Sequence, residues 1–296
     1  MDLRKQLKDK KRIVIKVGTS TITYPETGYI NLEKLEKFVR ILINLRNKGK
    51  EVIVVSSGAV AVGRHVLGLE TRPSERPKIQ ACAAVGQARL MMMYEKLFAE
   101  YSQLTAQVLI SKESIEHTIC RANTRIAFEE LLKMHVVPIV NENDAISVDE
   151  ELYGVFGDND TLSADVAALV EADLLILLSD INGLYTDDPR KNPEARFVHT
   201  VCQLDEELMQ MGKGAGTDNG TGGMATKLQA ARIATSAGAD MVVANGEHVY
   251  IINDIVNGKK VGTLFLANNS VVVEQNELAP KKEYYNTRGK DRNKYE

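Results

Sequence analysis

Arg12-Ile-Val-Ile-Lys-Val17 runs directly into Gly18-Thr-Ser-Thr21. A short β-branched run closed by glycine reads as a strand. From about Asn31 to Asn47 the period changes. Leu32, Leu35, Phe38, Val39, Leu42 and Leu45 fall on one face of a helix, and Gly49 ends it as a left-handed cap. Glu51-Val-Ile-Val-Val55 is the next strand. It enters Ser56-Ser-Gly-Ala59, where a small-residue helix opens and continues to about Leu67. Strand, helix and strand in this order form a βαβ unit. Such units build parallel sheets covered by helices on both faces, so the expected fold class is α/β.

The alternation continues outward. Thr71 to Pro77 reads as a polar linker, and a helix rich in Ala and Met is expected from about Lys78 to Tyr101. Its Met91-Met-Met93 run reads as core filler. Thr105 to Ile110 is a strand, about Thr118 to Met134 a helix, and Val136 to Val140 a strand. Leu152 to Phe156 could be half of a small hairpin. Leu162, Val166, Leu169 and Val170 make a helix stripe, and Leu174 to Leu178 is a buried strand ending in Ser179-Asp180. A turn-rich region, Asn182 to Pro193, and a glycine-dense loop, Gly212 to Gly223, precede a helix running through Lys227 to about Ala237. Met241 to Ala244 and Gly262 to Phe265 are the last expected strands. No internal repeat is found.

The chain has 296 residues, a formal net charge of −3 and 44% hydrophobic residues. That suits one large domain, or one with a tail. The near-balanced charge gives no ground for nucleic-acid binding. No apolar run reaches membrane-spanning length, and Met1 to Arg12 lacks the apolar core of a signal peptide. Cys82, Cys120 and Cys202 have no metal or redox spacing, and the five histidines form no helical pair. A reduced, cytoplasmic protein is expected. The expected division is a domain over 1–268 and a polar tail over 269–296.

Chemistry-bearing residues gather at strand ends. Asn141-Glu-Asn-Asp-Ala145 follows a buried strand, and Gly157-Asp-Asn-Asp160 opens a helix. Either tetrapeptide alone fits ordinary turns and caps. Two of them bracketing one loop favour a polar ligand, in the place where open parallel sheets bind ligands. Acids facing an anionic ligand call for an ammonium group, a Mg²⁺-carrying phosphate, or both. Lys16 either snorkels to the sheet end or reaches a cleft. Gly18, Thr19 and Ser20 beside it suit phosphate. Ser57-Gly58-Ala59 reads equally as an anion site or as plain capping. Gly220-Thr-Gly-Gly-Met-Ala-Thr-Lys227 is the strongest signal, a glycine- and threonine-rich helix start with an early lysine. It lacks the Walker A order. It meets the dinucleotide spacing through Gly220, Gly222 and Ala225, but without the strand that should precede it, so a triphosphate ranks first. Lys16 and Lys227 could flank a transferring phosphoryl group, with Asp160 as the carboxylate between them.

These motifs together resemble the amino acid kinase family, and within it the glutamate 5-kinases, over about Arg12 to Phe265. Ile15-Lys-Val-Gly-Thr-Ser20, Ser56 to Ala59, Asn141 to Ala145, Gly157 to Asp160, Gly183-Leu-Tyr-Thr186 with Asp188-Pro189, and Thr221 to Ala231 carry the resemblance. It implies a three-layer αβα sandwich on a mainly parallel central sheet. It implies phosphorylation of the L-glutamate side-chain carboxylate by ATP with Mg²⁺, the first step of proline biosynthesis. In that reading Lys16, Asp160 and Lys227 are catalytic. ATP is bound by Lys16, Gly18, Thr19, Ser20, Ser179, Asp180 and the run Thr221, Gly222, Gly223, Met224, Ala225, Thr226 and Lys227. Glutamate is bound by Ser57, Gly58, Ala59, Asp144 and Asn159. No residue is assigned to the metal, which is expected on the ATP phosphates. Proline is expected as a feedback inhibitor and a homo-oligomer, dimer or tetramer, as the assembly. No C-terminal PUA domain is expected, and Ser179 stands where many members carry Thr. A kinase for another acid or a nucleotide is the alternative within the family, and a non-catalytic amino-acid sensor the alternative outside it.

Overall fold

Strand β1 (Arg12–Val17) lies at the centre of an eight-stranded sheet. In the computed structural model, which describes residues 3–24, 26–146, 158–187, 192–211 and 223–268, the chain continues as follows. Helix α1 is Thr19–Ile22, α2 Leu32–Asn47, β2 Glu51–Ser56, α3 Ala59–Val66, α4 Arg76–Ala99, β3 Thr105–Ile110, α5 Lys112–Glu116, α6 Thr118–Lys133 and β4 Val137–Glu142. Then come α7 Asn159–Leu169, β5 Leu174–Ser179, β6 Thr200–Val201, α8 Glu206–Met211, α9 Met224–Ser236, β7 Asp240–Asn245, α10 Ile251–Val256 and β8 Thr263–Phe265. The strand order is β3-β4-β2-β1-β5-β7-β8-β6, and every pairing is parallel except β7 with β8.

Side-chain alternation along the strands divides the interior into two layers. Ile13, Ile15, Val52, Val54, Leu174 and Ile176 pack with Phe38 and Leu42 of α2 and with Leu90, Tyr94 and Phe98 of α4. Val14, Ile53, Val55, Leu175 and Leu177 pack on the other face with Phe128 of α6, Leu162 and Val166 of α7, and Leu228 of α9. The central strands are buried on both faces, which is why they read as unbroken apolar runs. The architecture is therefore an αβα sandwich on a mainly parallel sheet. Lys16 shares the face of Val14, the side covered by α7.

Several boundaries move for physical reasons. Strand β4 does not stop at Val140. Its ladder with β3 continues, pairing Leu109 with Asn141 and Ile110 with Glu142. Asn141 is thus a buried strand residue rather than the first residue of a loop. Helix α4 begins at Arg76, inside the expected linker, with Pro77 in its first turn, where a missing N–H costs nothing. Met91 and Met93 pack against the core, but Met92 is 47% exposed. The short elements Lys5–Asp9, α5 and α10 have too few turns to show periodicity. The hairpin expected within Leu152 to Phe156, the loop 212–222 and the tail 269–296 lie outside the described residues.

Helices α3 and α4 cross in backbone contact. A methyl on Gly63 would stand 1.8 Å from the Cys82 carbonyl oxygen, and one on Gly86 would stand 1.8 Å from that of Ala59. Neither helix can move away from the other without losing this contact, so α4 is a fixed support behind α3 and the end of β2.

Candidate active site

The carboxyl ends of β1, β2, β4 and β5 meet at one side of the sheet. The chain leaves β1 towards β2 in one direction, and β5 pairs on the opposite flank of β1. Ligands sit at such a reversal of strand order in open α/β sheets.

Asp158 caps α7, its Oδ1 accepting from the N–H groups of Asp160 and Thr161 at 2.8 and 2.9 Å. This cap is local helix chemistry, as its residue type predicts. It also aims the next two residues. Asp160 is 2% exposed and points back to the sheet. Lys16 Nζ lies 2.6 Å from its Oδ1, as an ion pair off the hydrogen-bond line. Lys227 Nζ, from the first turn of α9, donates to Oδ2 at 3.1 Å. Thr226 Oγ1 donates to the Gly223 carbonyl at 2.8 Å and lies 3.4 Å from Asp160 Oδ2. Burial pushes the Asp160 carboxyl up, but the two lysines outweigh it and hold the carboxyl below its ordinary range. Two residues separated by most of the chain thus share one carboxylate.

Asn159, one residue earlier, faces a different group. Its Nδ2 donates to Ser57 Oγ at 2.7 Å and to Asn141 Oδ1 at 3.1 Å. Asn141 Nδ2 in turn donates to Gln87 Oε1 of α4 at 3.0 Å. Ser56 Oγ and the buried Tyr94 hydroxyl are 2.9 Å apart, and Ser56 Oγ donates to the Ser57 carbonyl at 3.1 Å. Burial drives the Tyr94 phenol upward, so it stays a neutral hydroxyl. Gly58 caps α3 at φ 110°, a left-handed conformation that requires glycine at the bend. Burial also raises the carboxyls of Asp144 and Asp158.

The other expected residues that the structure describes lie mainly on the segments that leave β1 and β5 and on the first turn of α9. Gly18 caps the short α1 at φ −79°, an ordinary conformation, and Lys16 Nζ passes 3.6 Å from where its Cβ would stand. Thr19 is half-buried and Ser20 exposed at the same sheet end. Ser179 Oγ donates to Asp180 Oδ1 at 2.9 Å beyond β5. Gly223 caps α9 and has no side chain to bond the first-turn N–H groups, and a helix start of this kind suits an anion. Met224 is half-buried and Ala225 exposed on that turn. Thr221 and Gly222 lie outside the described residues, as do Gly157, Asp188 and Pro189. Gln87, Tyr94 and a structural part for Asn141 were not anticipated. A glutamine within an Ala- and Met-rich helix is the one sequence sign of the first.

Among the described residues no three His, Cys, Asp or Glu side chains could together hold a metal. Nor is any described helix long and apolar enough to cross a membrane.

The sequence profile of the amino acid kinase family matches residues 11–245. A glutamate 5-kinase of Clostridium perfringens is 51% identical over 267 residues, covering 90% of this chain and 98% of that protein. One of Carboxydothermus hydrogenoformans is 52% identical over 263 residues, 89% of this chain and 70% of that protein. Among solved structures, an isopentenyl phosphate kinase in its substrate complex superposes with a TM-score of 0.58 at 19% identity, covering 86% of this chain and 99% of that one. A UMP kinase from Bacillus anthracis gives 0.59 at 16% identity, over 88% and 97%. At such identities these two structures speak for the fold alone.

Proposed function

The chain belongs to the amino acid kinase family, and on that premise we propose that it transfers the γ-phosphoryl group of ATP to the side-chain carboxylate of L-glutamate, giving L-glutamyl 5-phosphate. The observation that carries the mechanism is the convergence of Lys16 and Lys227 on Asp160, one residue from the Asn159 group.

Each residue then has a task. Lys16 and Lys227 stabilise charge on the transferring phosphoryl group, and Asp160 keeps the two cations apart and aimed. An ammonium about 4 Å from a phosphoryl oxygen contributes ~4 kcal/mol at an effective dielectric of 20. Gly18, Thr19 and Ser20, the open first turn of α9 from Gly223 through Thr226, and the segment Thr221-Gly222 before it hold the phosphates. Ser179 and Asp180 bind ATP beyond β5. Ser57, Gly58, Ala59, Asp144 and Asn159 bind glutamate, with Asp144 facing its ammonium. Mg²⁺ carried on the ATP phosphates would neutralise part of their charge. No general base is required, because the acceptor carboxylate is already ionised near pH 7. Positioning and electrostatics supply the catalysis.

The same family reading supports L-proline as a feedback inhibitor, since proline shares the α-carboxylate and the cationic nitrogen of glutamate. It also supports a homo-oligomer, dimer or tetramer, in the cytoplasm, with a kinase domain over 1–268 and a separate polar tail.

ADP release with MgATP and hydroxylamine tests the reaction. L-Glutamate is expected to give turnover and a trapped hydroxamate, while N-acetylglutamate and aspartate give neither. Turnover with another acid would discard the glutamate roles. Asp144→Ala is expected to raise the glutamate KM at least about tenfold, the scale of a lost hydrogen bond to a charged group, with the ATP KM within about twofold. Equal increases in both KM values would break the assignment.

A further inference from the structure

Resting on the glutamate reading above, we propose that Gln87 is a positioning residue for acceptor selectivity, acting through Asn141 to present the Asn159 carbonyl oxygen to the ammonium of the substrate. A primary amide can be rotated by half a turn with almost no change of shape, which exchanges its donor and acceptor ends. Its orientation must therefore be set by its neighbours. Here the setting passes down a line of three buried or half-buried amides. Gln87 Oε1 accepts from Asn141 Nδ2 at 3.0 Å, so the Asn141 oxygen is turned towards Asn159. That oxygen accepts from Asn159 Nδ2 at 3.1 Å. Ser57 Oγ accepts from the same nitrogen at 2.7 Å.

Both hydrogens of the Asn159 amide are thus committed inward. Its Oδ1 has no hydrogen-bond partner among the described residues and is left to face a ligand donor. Turning Asn159 over would bring two carbonyl oxygens to about the distance of a hydrogen bond, with no proton between them. Gln87 and Asn141 are both buried, so water cannot readily take over a broken link. Nor can Gln87 withdraw. Its neighbour Gly86 is pressed against the backbone of α3 at Ala59 and Gly63. An outward acceptor favours a ligand bearing a cationic N–H group and gives nothing to the same diacid without one. Selectivity for a free amino acid would then originate partly in α4, a helix with no residue assigned to substrate.

The test compares L-glutamate with glutarate, which keeps the reacting carboxylate and lacks the ammonium. Glutarate is scored as substrate or as a competitive inhibitor of the full chain with MgATP. Gln87→Met removes the acceptor at similar volume, and Gln87→Glu keeps an acceptor in place. For Q87M the glutamate KM should rise about tenfold, with the ATP KM and the glutarate constant within about twofold, so that the preference for glutamate falls by the same factor. Q87E should keep that preference within about threefold of wild type. An unchanged preference in Q87M, or an equal loss in Q87E, would overturn the proposal. If Q87M fails to fold, as judged by circular dichroism, Asn141→Ser breaks the next link and is read the same way. A wild-type chain that turns over no glutamate would instead remove the functional reading itself, a result visible before any variant is made.

Discussion

Lys227→Ala is expected to lower kcat by about two orders of magnitude or more, the scale for removing one preorganised partner of transition-state charge. The glutamate KM should stay within about threefold, because in the proposed mechanism the lysine serves the phosphoryl end and not the amino-acid end. Lys227 is buried and hydrogen-bonded to Asp160, so its stem also packs. Alanine therefore removes volume as well as charge. Lys227→Met separates the two, restoring most of the stem without the cation. If the charge is what matters, both variants lose kcat alike, and only alanine loses additional stability in thermal unfolding. Steady-state ADP release with MgATP and glutamate reads the rate. Normal turnover in either variant would show that the phosphoryl group does not meet this lysine.

The middle of the sheet was legible because its strands are buried on both faces. Runs such as Leu174 to Leu178 have no polar face to confuse their period. The ends of elements were less so. Asn141 looks like a turn residue, yet pairing with β3 draws it into the ladder, and nothing in its local sequence reports that long-range pairing. The same limit applies to the site. Lys16 stands out as a charge within an apolar strand, Lys227 as a charge at a glycine- and threonine-rich helix start and Asp160 as the last acid of an Asp/Asn cluster, and the fold brings them within ion-pair distance. Gln87 and Tyr94 do not stand out, because one polar group on a long helix is commonplace. Their meaning comes from the close crossing of α4 on α3 at Gly63 and Gly86, which is a property of two helices and not of either sequence. The family resemblance supplied roles that spacing could not, above all the choice of glutamate among acids.

Asp160→Asn is expected to reduce kcat by about two orders of magnitude and, unlike any change at Lys227, to leave two cations, one buried and one half-buried, without their shared counter-ion. Lys16 and Lys227 bind opposite oxygens of this carboxylate, and the amide offers one weak acceptor in place of two charged ones. Removing one member of a buried ion pair costs about 3–5 kcal/mol, through the charge left behind. The sign of the pH dependence follows from the carboxyl itself. Burial pushes it up, but Lys16 and Lys227 pull it below its ordinary value in the folded chain. A carboxyl depressed on folding contributes stability that is complete above its unfolded pKa, about 3.9, and is lost as pH falls through the folded value. The gap in unfolding free energy between wild type and D160N should therefore be constant from about pH 7 to about pH 5 and close only below about pH 4. Urea unfolding of both proteins across that range measures it. No gap near pH 7 would mean that the lysines gain nothing from Asp160. A gap already closing between about pH 7 and pH 5 would mean that burial has won over the lysines, so that the carboxylate is not held ionised between them.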